Sequence, residues 1–449
     1  MRLHNFGIGA ALLCCATASF AAERITVDQA VQMALKGNLR LASVERRAGS
    51  SHDQALATGA RLLPSVHLSE EYQHWDCPAA FDLANFAGGA ECLSTINAQP
   101  KAGAPDLSAF TAAQQQQLGS LLSAFSGPPI IARKQDTNSF VASIDQPIVG
   151  LLHTGYDYAA SRATASSVDA GVKASQAAVV QLVRTGYLQY FEARALEQIA
   201  AASVAELADQ VKVNEARLKA GVITNADLLR VTVARANARQ QQIAAHAQGL
   251  VARANLLDAI GLTVDTDVEF EEPTTLLASG AVALPDAASA MHQALQKRPE
   301  VAQTRLAEKS AEHNRSARYL SLLPEVDAEG AYVRTDGQLF APANQWFVGV
   351  KATWAIWEWG ATFFQARAAA HQAEASVIDA ENERRQVTVE VTNARANTEA
   401  FSVSVDVAHE AISSAQEAYR VTQALVQAGS ATTTDLLESQ SALTTARLN

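Results

Sequence analysis

The chain contains two closely similar stretches, "AGVITNADLL" at Ala220–Leu229 and "AGSATTTDLL" at Ala428–Leu437. Both combine a glycine, a threonine shortly after it and an Asp-Leu-Leu sequence. Gly221 and Gly429 suit the end of a helix because glycine adopts a positive φ without steric cost. The threonines that follow suit the N-cap of a second helix. Each stretch therefore predicts a tight turn between two helices, and the chain has this turn twice.

Long helices are predicted on the N-terminal side of both turns. The sequence has no proline between Pro147 and Pro273 and none after Pro342, and both tracts are rich in Ala, Gln, Glu, Arg, Val and Leu. This composition favours helix over the intervals 155–221 and 360–429. Each interval would form a helix about 100 Å long, at about 1.5 Å per residue. Helices of this length are typical of coiled coils or helical ducts rather than compact domains.

The two turns belong to a tandem duplication of the chain. "LLPSVHLSEEY" at Leu62–Tyr72 recurs as "LLPEVDAEGAY" at Leu322–Tyr332, 260 positions later. The turn sequences lie only 208 positions apart, so the first copy holds 52 additional residues before its helices. This insertion lies within a predicted loop at 76–137, which reads as long and partly irregular.

Four segments beside the insertion and its short counterpart predict β-strands of about ten residues, at 65–75, 138–148, 325–334 and 346–356. Their alternation suits either a half-buried strand of a soluble sheet or a strand of an outer-membrane barrel. All five tryptophans lie in or beside these segments: Trp75, Trp346, Trp354, Trp357 and Trp359. Aromatic side chains with one polar end are stabilised at a membrane interface, so the pattern favours the barrel. Four strands cannot close a barrel alone, so it would be shared between subunits.

The N-terminus, "MRLHNFGIGAALLCCATASFA" at 1–21, has a basic residue, an apolar core and small residues at its end, the layout of a secretory signal peptide. A lipoprotein anchor at Cys14 or Cys15 is the competing interpretation. No later apolar run reaches about 18 residues, so no transmembrane helix is predicted. In an exported chain, Cys77 and Cys92 predict a disulfide. The net charge of −11 argues against nucleic acid as a partner.

The order short helix, strand, loop, strand, long helix, turn and helix occurs twice, and it resembles the TolC-like outer-membrane channel family (outer membrane factors). The resemblance covers nearly the whole mature chain through "AVQMALKGNLRL", "LLPSVHLSEEY", "RLKAGVITNADLLRVTVARANA" and their second copies. It implies a mixed α and β membrane protein that works as a homotrimer. Four strands per chain would form a 12-stranded β-barrel in outer-membrane lipid, continued by a periplasmic α-barrel.

The same resemblance implies a function and partners. The family forms exit ducts of tripartite efflux pumps or type I secretion systems, joined to an inner-membrane transporter by a periplasmic adaptor (membrane fusion protein). It implies no enzyme activity and no cofactor, and the sequence has no P-loop, HExxH or GxSxG motif and no His ligand spacing. A structural coiled-coil envelope protein, such as an adhesin stalk or periplasmic tether, is the alternative from another class. It does not account for paired strands with all the tryptophans. An adaptor would carry a single hairpin with β-rich flanks.

The predicted organisation follows from the repeats: a signal peptide at 1–21, a first repeat at 22–270, a linker at 271–283 and a second repeat at 284–449. The first hairpin is expected over 155–261. At the offset of 208 positions, Asn449 corresponds to Gln241, whereas the first returning helix continues to Gly261. We therefore expect the second repeat to be truncated and the natural protein to run on by about 20 helical residues.

Acidic residues after the turns are the candidate site. By resemblance, Asp435 and Glu438, one helical turn apart, would narrow the periplasmic mouth, with Asp227 as the first-copy equivalent. An acid in the first turn also complements the helix dipole, which is the structural alternative for Asp227 in particular. Carboxylates crowded by three subunits would attract cations. Family members often lock the second hairpin with a tyrosine and an arginine, but here Val426 and Ala431 replace them, so Arg230 is the candidate lock.

Overall fold

The computed structural model describes residues 24–81, 90–98, 111–125, 128–274 and 284–449, so the predicted signal peptide and most of the predicted linker lie outside the described residues. The helices are α1 (Val27–Gly37), α2 (Leu39–Ala60), α3 (Leu93–Ala98), α4 (Ala112–Phe125), α5 (Gly150–Lys219), α6 (Asn225–Ile260), α7 (Ala287–Lys297), α8 (Pro299–Leu320), α9 (Ala361–Gln427) and α10 (Thr433–Leu448). The strands are β1 (Ser65–His74), β2 (Ala79–Phe81), β3 (Glu91–Cys92), β4 (Ile130–Pro147), β5 (Glu325–Gln338) and β6 (Asn344–Thr353). None of the described helices is long and apolar enough to cross a membrane.

The element boundaries repeat at the sequence offsets. α1 and α7 begin 260 positions apart, as do α2 and α8, and β1 and β5. α5 and α9 end 208 positions apart, and α6 and α10 begin 208 positions apart. The single short helix expected before each first strand is in fact two helices in each copy. Asn38 separates α1 from α2, and Arg298 separates α7 from α8. The side-chain amide nitrogen of Asn38 donates to Ala259 O at 3.1 Å.

The described chain divides into two compact units. The first unit consists of the described parts of Met1–Gly49, Val168–Thr304 and Ala380–Asn449. Its largest core cluster contains residues of α1, α5 and α6, among them the fully buried Val183, Tyr187, Leu256, Leu257 and Ile260. The hydroxyl oxygen of Tyr187 is 2.8 Å from Ile25 O and also contacts Glu271 O. It therefore joins the two chain segments that form the isolated bridge between Ile25 and Phe270.

The second unit, Ser50–Ser167 and Arg305–Asp379, contains the sheet. The long β4 pairs with β1 and β2 along one edge and with β5 along the other, and β6 follows β5, all antiparallel. Ser65 of β1 pairs with Asp145 of β4, and Glu325 of β5 pairs with Thr353 of β6. These two pairs are related by the offsets of 260 and 208 positions, so both copies use the same strand register.

The loop predicted at 76–137 as long and partly irregular has regular elements in its described part. It contains β2, β3, α3 and α4, and β4 begins at Ile130 rather than at 138. The cause is local pairing: Ile130 and Ile131 pair with β2, a strand that the insertion itself supplies. Because β4 is longer than expected, β5 also extends beyond Arg334, to Gln338. The predicted strand 346–356 instead ends at Thr353.

Candidate functional site

The two predicted glycines end the long helices in the same conformation. Gly221 has φ +75° and Gly429 has φ +77°, and both sites are open to solvent. In the first turn the Val222 amide donates to Arg217 O at 2.9 Å, and in the second the Ser430 amide donates to Leu425 O at 2.8 Å. This is the Schellman arrangement, in which a left-handed residue lets the chain satisfy the last helical carbonyls.

A capping box follows each turn. The side chain of Thr224 accepts from the Asp227 amide at 3.3 Å, and the carboxylate of Asp227 accepts from the Thr224 amide at 3.0 Å. Thr432 and Asp435 repeat the pattern at 3.2 Å and 2.8 Å. The Thr224 hydroxyl and amide lower the pKa of Asp227, and the Thr432 amide and hydroxyl lower the pKa of Asp435. Both acids therefore start a helix and remain ionised at neutral pH.

The second-copy acids lie on the exposed side of α10. Asp435 and Glu438 are both exposed, whereas Leu436, Gln440 and Leu443 of the same helix are buried. The first-copy acid differs, since a guanidinium nitrogen of Arg230 is 3.6 Å from the Asp227 carboxylate. Among the described residues, Asp435 and Glu438 form no salt bridge and lie one turn apart on the second hairpin, whereas Asp227 on the first is partly neutralised by Arg230.

Two arginines join the first hairpin to the second. Arg230 Nη1 donates to Thr434 Oγ1 at 3.1 Å, and Arg217 Nη2 donates to Val426 O at 3.1 Å. The candidate lock, Arg230, is therefore in contact with the second turn. Arg217 was not singled out from the sequence. Its signal was its place in the last turn of α5, where a cation can reach helix carbonyls.

A partly buried polar layer around Gln440 lies further along the same helices, and the sequence did not predict it. The Gln440 side chain, 3% exposed, accepts from Gln210 Nε2 at 2.9 Å and donates to Glu206 at 3.3 Å. Gln210 Nε2 also donates to the hydroxyl of Tyr419 at 3.3 Å. Burial raises the pKa of Tyr419. Gln440 falls on the buried stripe of α10 at helical spacing from Leu436 and Leu443, and that spacing was the available signal.

One face of the sheet is mostly apolar and the other mostly polar, although the first also carries Glu70, Asn138 and Arg334 and the second also carries Val141, Val333 and Phe347. Because directly paired residues in an antiparallel sheet share a face, the register assigns each side chain. The apolar face carries Val66, Leu68, Tyr72, Phe140, Ala142, Ile144, Ala328, Tyr332, Trp346, Val348 and Val350. The polar face carries Ser65, His67, Ser69, Glu71, Asp145, Ser143, Ser139, Glu329, Asp327, Thr335 and Lys351. The apolar face is largely exposed, with Leu68 at 70% and Val348 at 78%.

Four of the five tryptophans are exposed in this unit: Trp346, Trp354, Trp357 and Trp359. Trp346 lies on the apolar face, and the other three follow β6. Trp75 is different, because it is half-buried and its Nε1 donates to Thr137 Oγ1 at 3.1 Å. Thr137 pairs with Gln73 on the polar face, so the Trp75 ring lies on the polar face as well. Its surroundings therefore differ from those of the other four.

Cys77 and Cys92 form a disulfide with Cα atoms 5.7 Å apart. The bond joins the start of β2 to β3 within the insertion, where Ala79 pairs with Cys92. Within the described ranges, no group of three His, Cys, Asp or Glu side chains is placed to hold a metal ion. The distinctive chemistry of the described chain thus lies at the hairpin ends and on the two faces of the sheet.

The described chain has an antiparallel sheet with one exposed, mostly apolar face, and it has two long helical hairpins. Its strands and helices come from two copies of the same element order. These features define a protomer of the outer-membrane channel class. The chain belongs to the outer membrane efflux protein family, whose model matches residues 94–262 and 290–449. Membership places it in the cell outer membrane, with its helical part in the periplasm, in a family of channels rather than enzymes.

Known relatives agree with this assignment. The chain is 26% identical over 261 residues to the outer membrane efflux protein BepC of Brucella suis biovar 1. That match covers 57% of this chain and spans 56% of the relative's length. The fold is similar to the outer membrane protein VceC of Vibrio cholerae, with 12% identity, a TM-score of 0.73 and coverage of 94% and 90%. It is also similar to the Campylobacter jejuni CmeC outer membrane channel, with 14% identity, a TM-score of 0.68 and coverage of 100% and 89%.

Proposed function

We propose that the chain is one protomer of a homotrimeric exit duct, which receives substrates from an inner-membrane transporter through a periplasmic adaptor. The open sheet is the observation that carries this proposal. β1 and β6 each pair with one neighbouring strand only, so both outer edges of the described sheet are available. β1, β4, β5 and β6 from three copies joined edge to edge would supply twelve strands, enough to close a barrel.

The two faces of the sheet support the same arrangement. A barrel in a bilayer needs apolar side chains outside and polar ones inside, in alternation along every strand. The apolar face would contact outer-membrane lipid, with Trp346, Trp354, Trp357 and Trp359 at the interface region. The polar face would line the lumen.

The hairpin ends supply the other mouth of the duct. Asp435 and Glu438 from three chains would place six carboxylates at the periplasmic constriction, with Asp227 as a weaker contributor because Arg230 lies beside it. Arg230 and Arg217 hold the second hairpin to the first in the state described. We assign Arg230 the role of a lock that must release before the mouth widens.

The experiment is reconstitution of the purified chain into a planar bilayer. The channel should migrate as a heat-sensitive trimer on gels, fractionate with the outer membrane and conduct ions. A coiled-coil stalk or tether would give a helical oligomer without conductance. Trimers that insert but never conduct would contradict the proposal.

A further inference from the structure

A cationic side chain lies on the polar face of the sheet, at the end where the insertion joins. Arg133 places its guanidinium carbon 3.6 Å from the centre of the Trp75 ring. The Trp75 indole is itself fixed to Thr137, which is 5% exposed. A guanidinium stacked on an indole keeps its charge and is held in place by the cation–π attraction.

A break in strand pairing positions this group. Between the pairs Arg133–Gln338 and Asn138–Asp336, β4 has four residues where β5 has only Gly337. Gly337 has φ +89°, and a Cβ there would lie 2.5 Å from Asp136 O. The bulge therefore requires glycine, and it allows Arg133 to lie back over Trp75.

Among the residues that the structure describes, the Arg133 guanidinium has no carboxylate partner. Its Nε is buried without a hydrogen-bond partner, and no ion pair of the described residues includes it. The neighbouring Lys134, in contrast, is 3.6 Å from Asp336, which lies on the apolar face with Asn138. Lys134 is thus in a salt bridge with Asp336 near the apolar face. Arg133 instead stacks on the Trp75 ring on the polar face.

We infer that Arg133, supported by Trp75, forms a cationic ring near the outer mouth of the channel and favours the exit of anionic solutes. This inference rests on the proposed function, because the polar face lines a lumen only in the closed barrel. Three chains would present three guanidinium groups at the end of the sheet opposite the one where β4 leads into α5. Rings of fixed charge in a pore select the ions that pass, and uncompensated charge acts most strongly.

The test uses trimers in planar bilayers, with pyrenetetrasulfonate added on the loop side as a polyanionic probe. Wild-type channels should be blocked, and Arg133→Gln should raise the half-blocking concentration by about tenfold or more because three charges leave one ring. Lys134→Gln makes the same charge change at the adjacent residue and should stay within about twofold of wild type. Trp75→Ala should also weaken the block, since the guanidinium loses its platform.

Several results would overturn the inference. They are equal block in wild type and Arg133→Gln, or an equal loss of block in Lys134→Gln. If Arg133→Gln does not assemble, Arg133→Lys decides the matter, because it keeps the charge and must keep at least part of the block. A wild-type channel that conducts and is not blocked from the loop side also rejects the ring. Failure of the wild type to conduct would instead reject the proposed function.

Discussion

Arg230 Nη1 lies 3.1 Å from Thr434 Oγ1, so a side chain of the first helical hairpin donates to the first turn of the second. Arg217 Nη2 makes the companion bond to Val426 O at the end of α9. Arg217 thus contacts α9, the helix before the second turn, and Arg230 contacts α10, the helix after it. Displacing the second hairpin from the first requires both bonds to break.

This relationship predicts that Arg230→Ala and Thr434→Ala each increase conductance by loosening the second hairpin. Because the two side chains share one hydrogen bond, the double variant should add little to either single variant. Arg235→Ala, at an exposed arginine of the same helix, is the matched control and should conduct like wild type. Additive effects of Arg230→Ala and Thr434→Ala in single-channel recordings would show that the bond is not the lock.

The exposed acids of α10 predict the ion selectivity of the periplasmic mouth. Replacing Asp435 and Glu438 with Ala should lower the cation preference and weaken block by divalent cations, because up to six carboxylates leave the trimer. Reversal potentials in a salt gradient measure the preference. Glu417→Gln, at an acid paired with Arg420, is the control and should change neither property. Unaltered selectivity in the double variant would remove Asp435 and Glu438 from the pore.

The capping box of α10 predicts a pH dependence at the second turn. The bonds from Thr432 lower the pKa of Asp435 below its ordinary value of 3.8. A lowered folded pKa means that the stabilisation is present above the unfolded pKa and is lost as pH falls through the folded pKa. The protection of the residue 435 backbone amide, relative to its intrinsic exchange rate, should therefore fall below about pH 4, and an Asp435→Ala variant should show no such dependence. Parallel pH profiles in the two proteins would contradict the assignment.

Tyr187 predicts a dependence at high pH. Burial raises its pKa to about 12, from an ordinary value of 10.0. The neutral hydroxyl is the form that the fold favours, so its stabilisation is complete below pH 10 and is lost as pH rises from about 10 to about 12. Tyr187→Phe should lower the free energy of unfolding by about 1 kcal/mol and remove this dependence. Tyr319→Phe, at an exposed tyrosine, should follow wild type in denaturation measured across that range.

The disulfide predicts the side of the membrane on which the insertion lies. A membrane-impermeant maleimide should label Cys77 and Cys92 on intact cells only after reduction, because the insertion joins β1 to β4 at the end of the sheet opposite the one where β4 leads into α5. A cysteine introduced in place of Ser430 at the second turn serves as the periplasmic control and should stay unlabelled. Labelling of Cys77 and Cys92 only after the outer membrane is opened would place the insertion in the periplasm.

The duplication, the two turns and the long helices can be read from the amino-acid sequence. These features depend on local chemistry: glycine at positive φ, a threonine that caps the next helix, and tracts without proline. The strand segments near residues 65, 325 and 346 were also readable, since alternation is a property of consecutive residues. The family resemblance followed from the order of these elements.

Tertiary structure alone decided which side chains meet. The sequence did not indicate that Arg217 reaches Val426, that Gln210 and Gln440 share a buried layer, or that Trp75 lies on the polar face. Each of these depends on partners at least 60 residues away or on a bulge that changes the direction of a strand. Periodicity predicts which stripe of an element is buried, but the packing of separate elements decides what covers it. For the same reason β4 extends to Ile130, because its partner β2 comes from an insertion whose composition reads as loop.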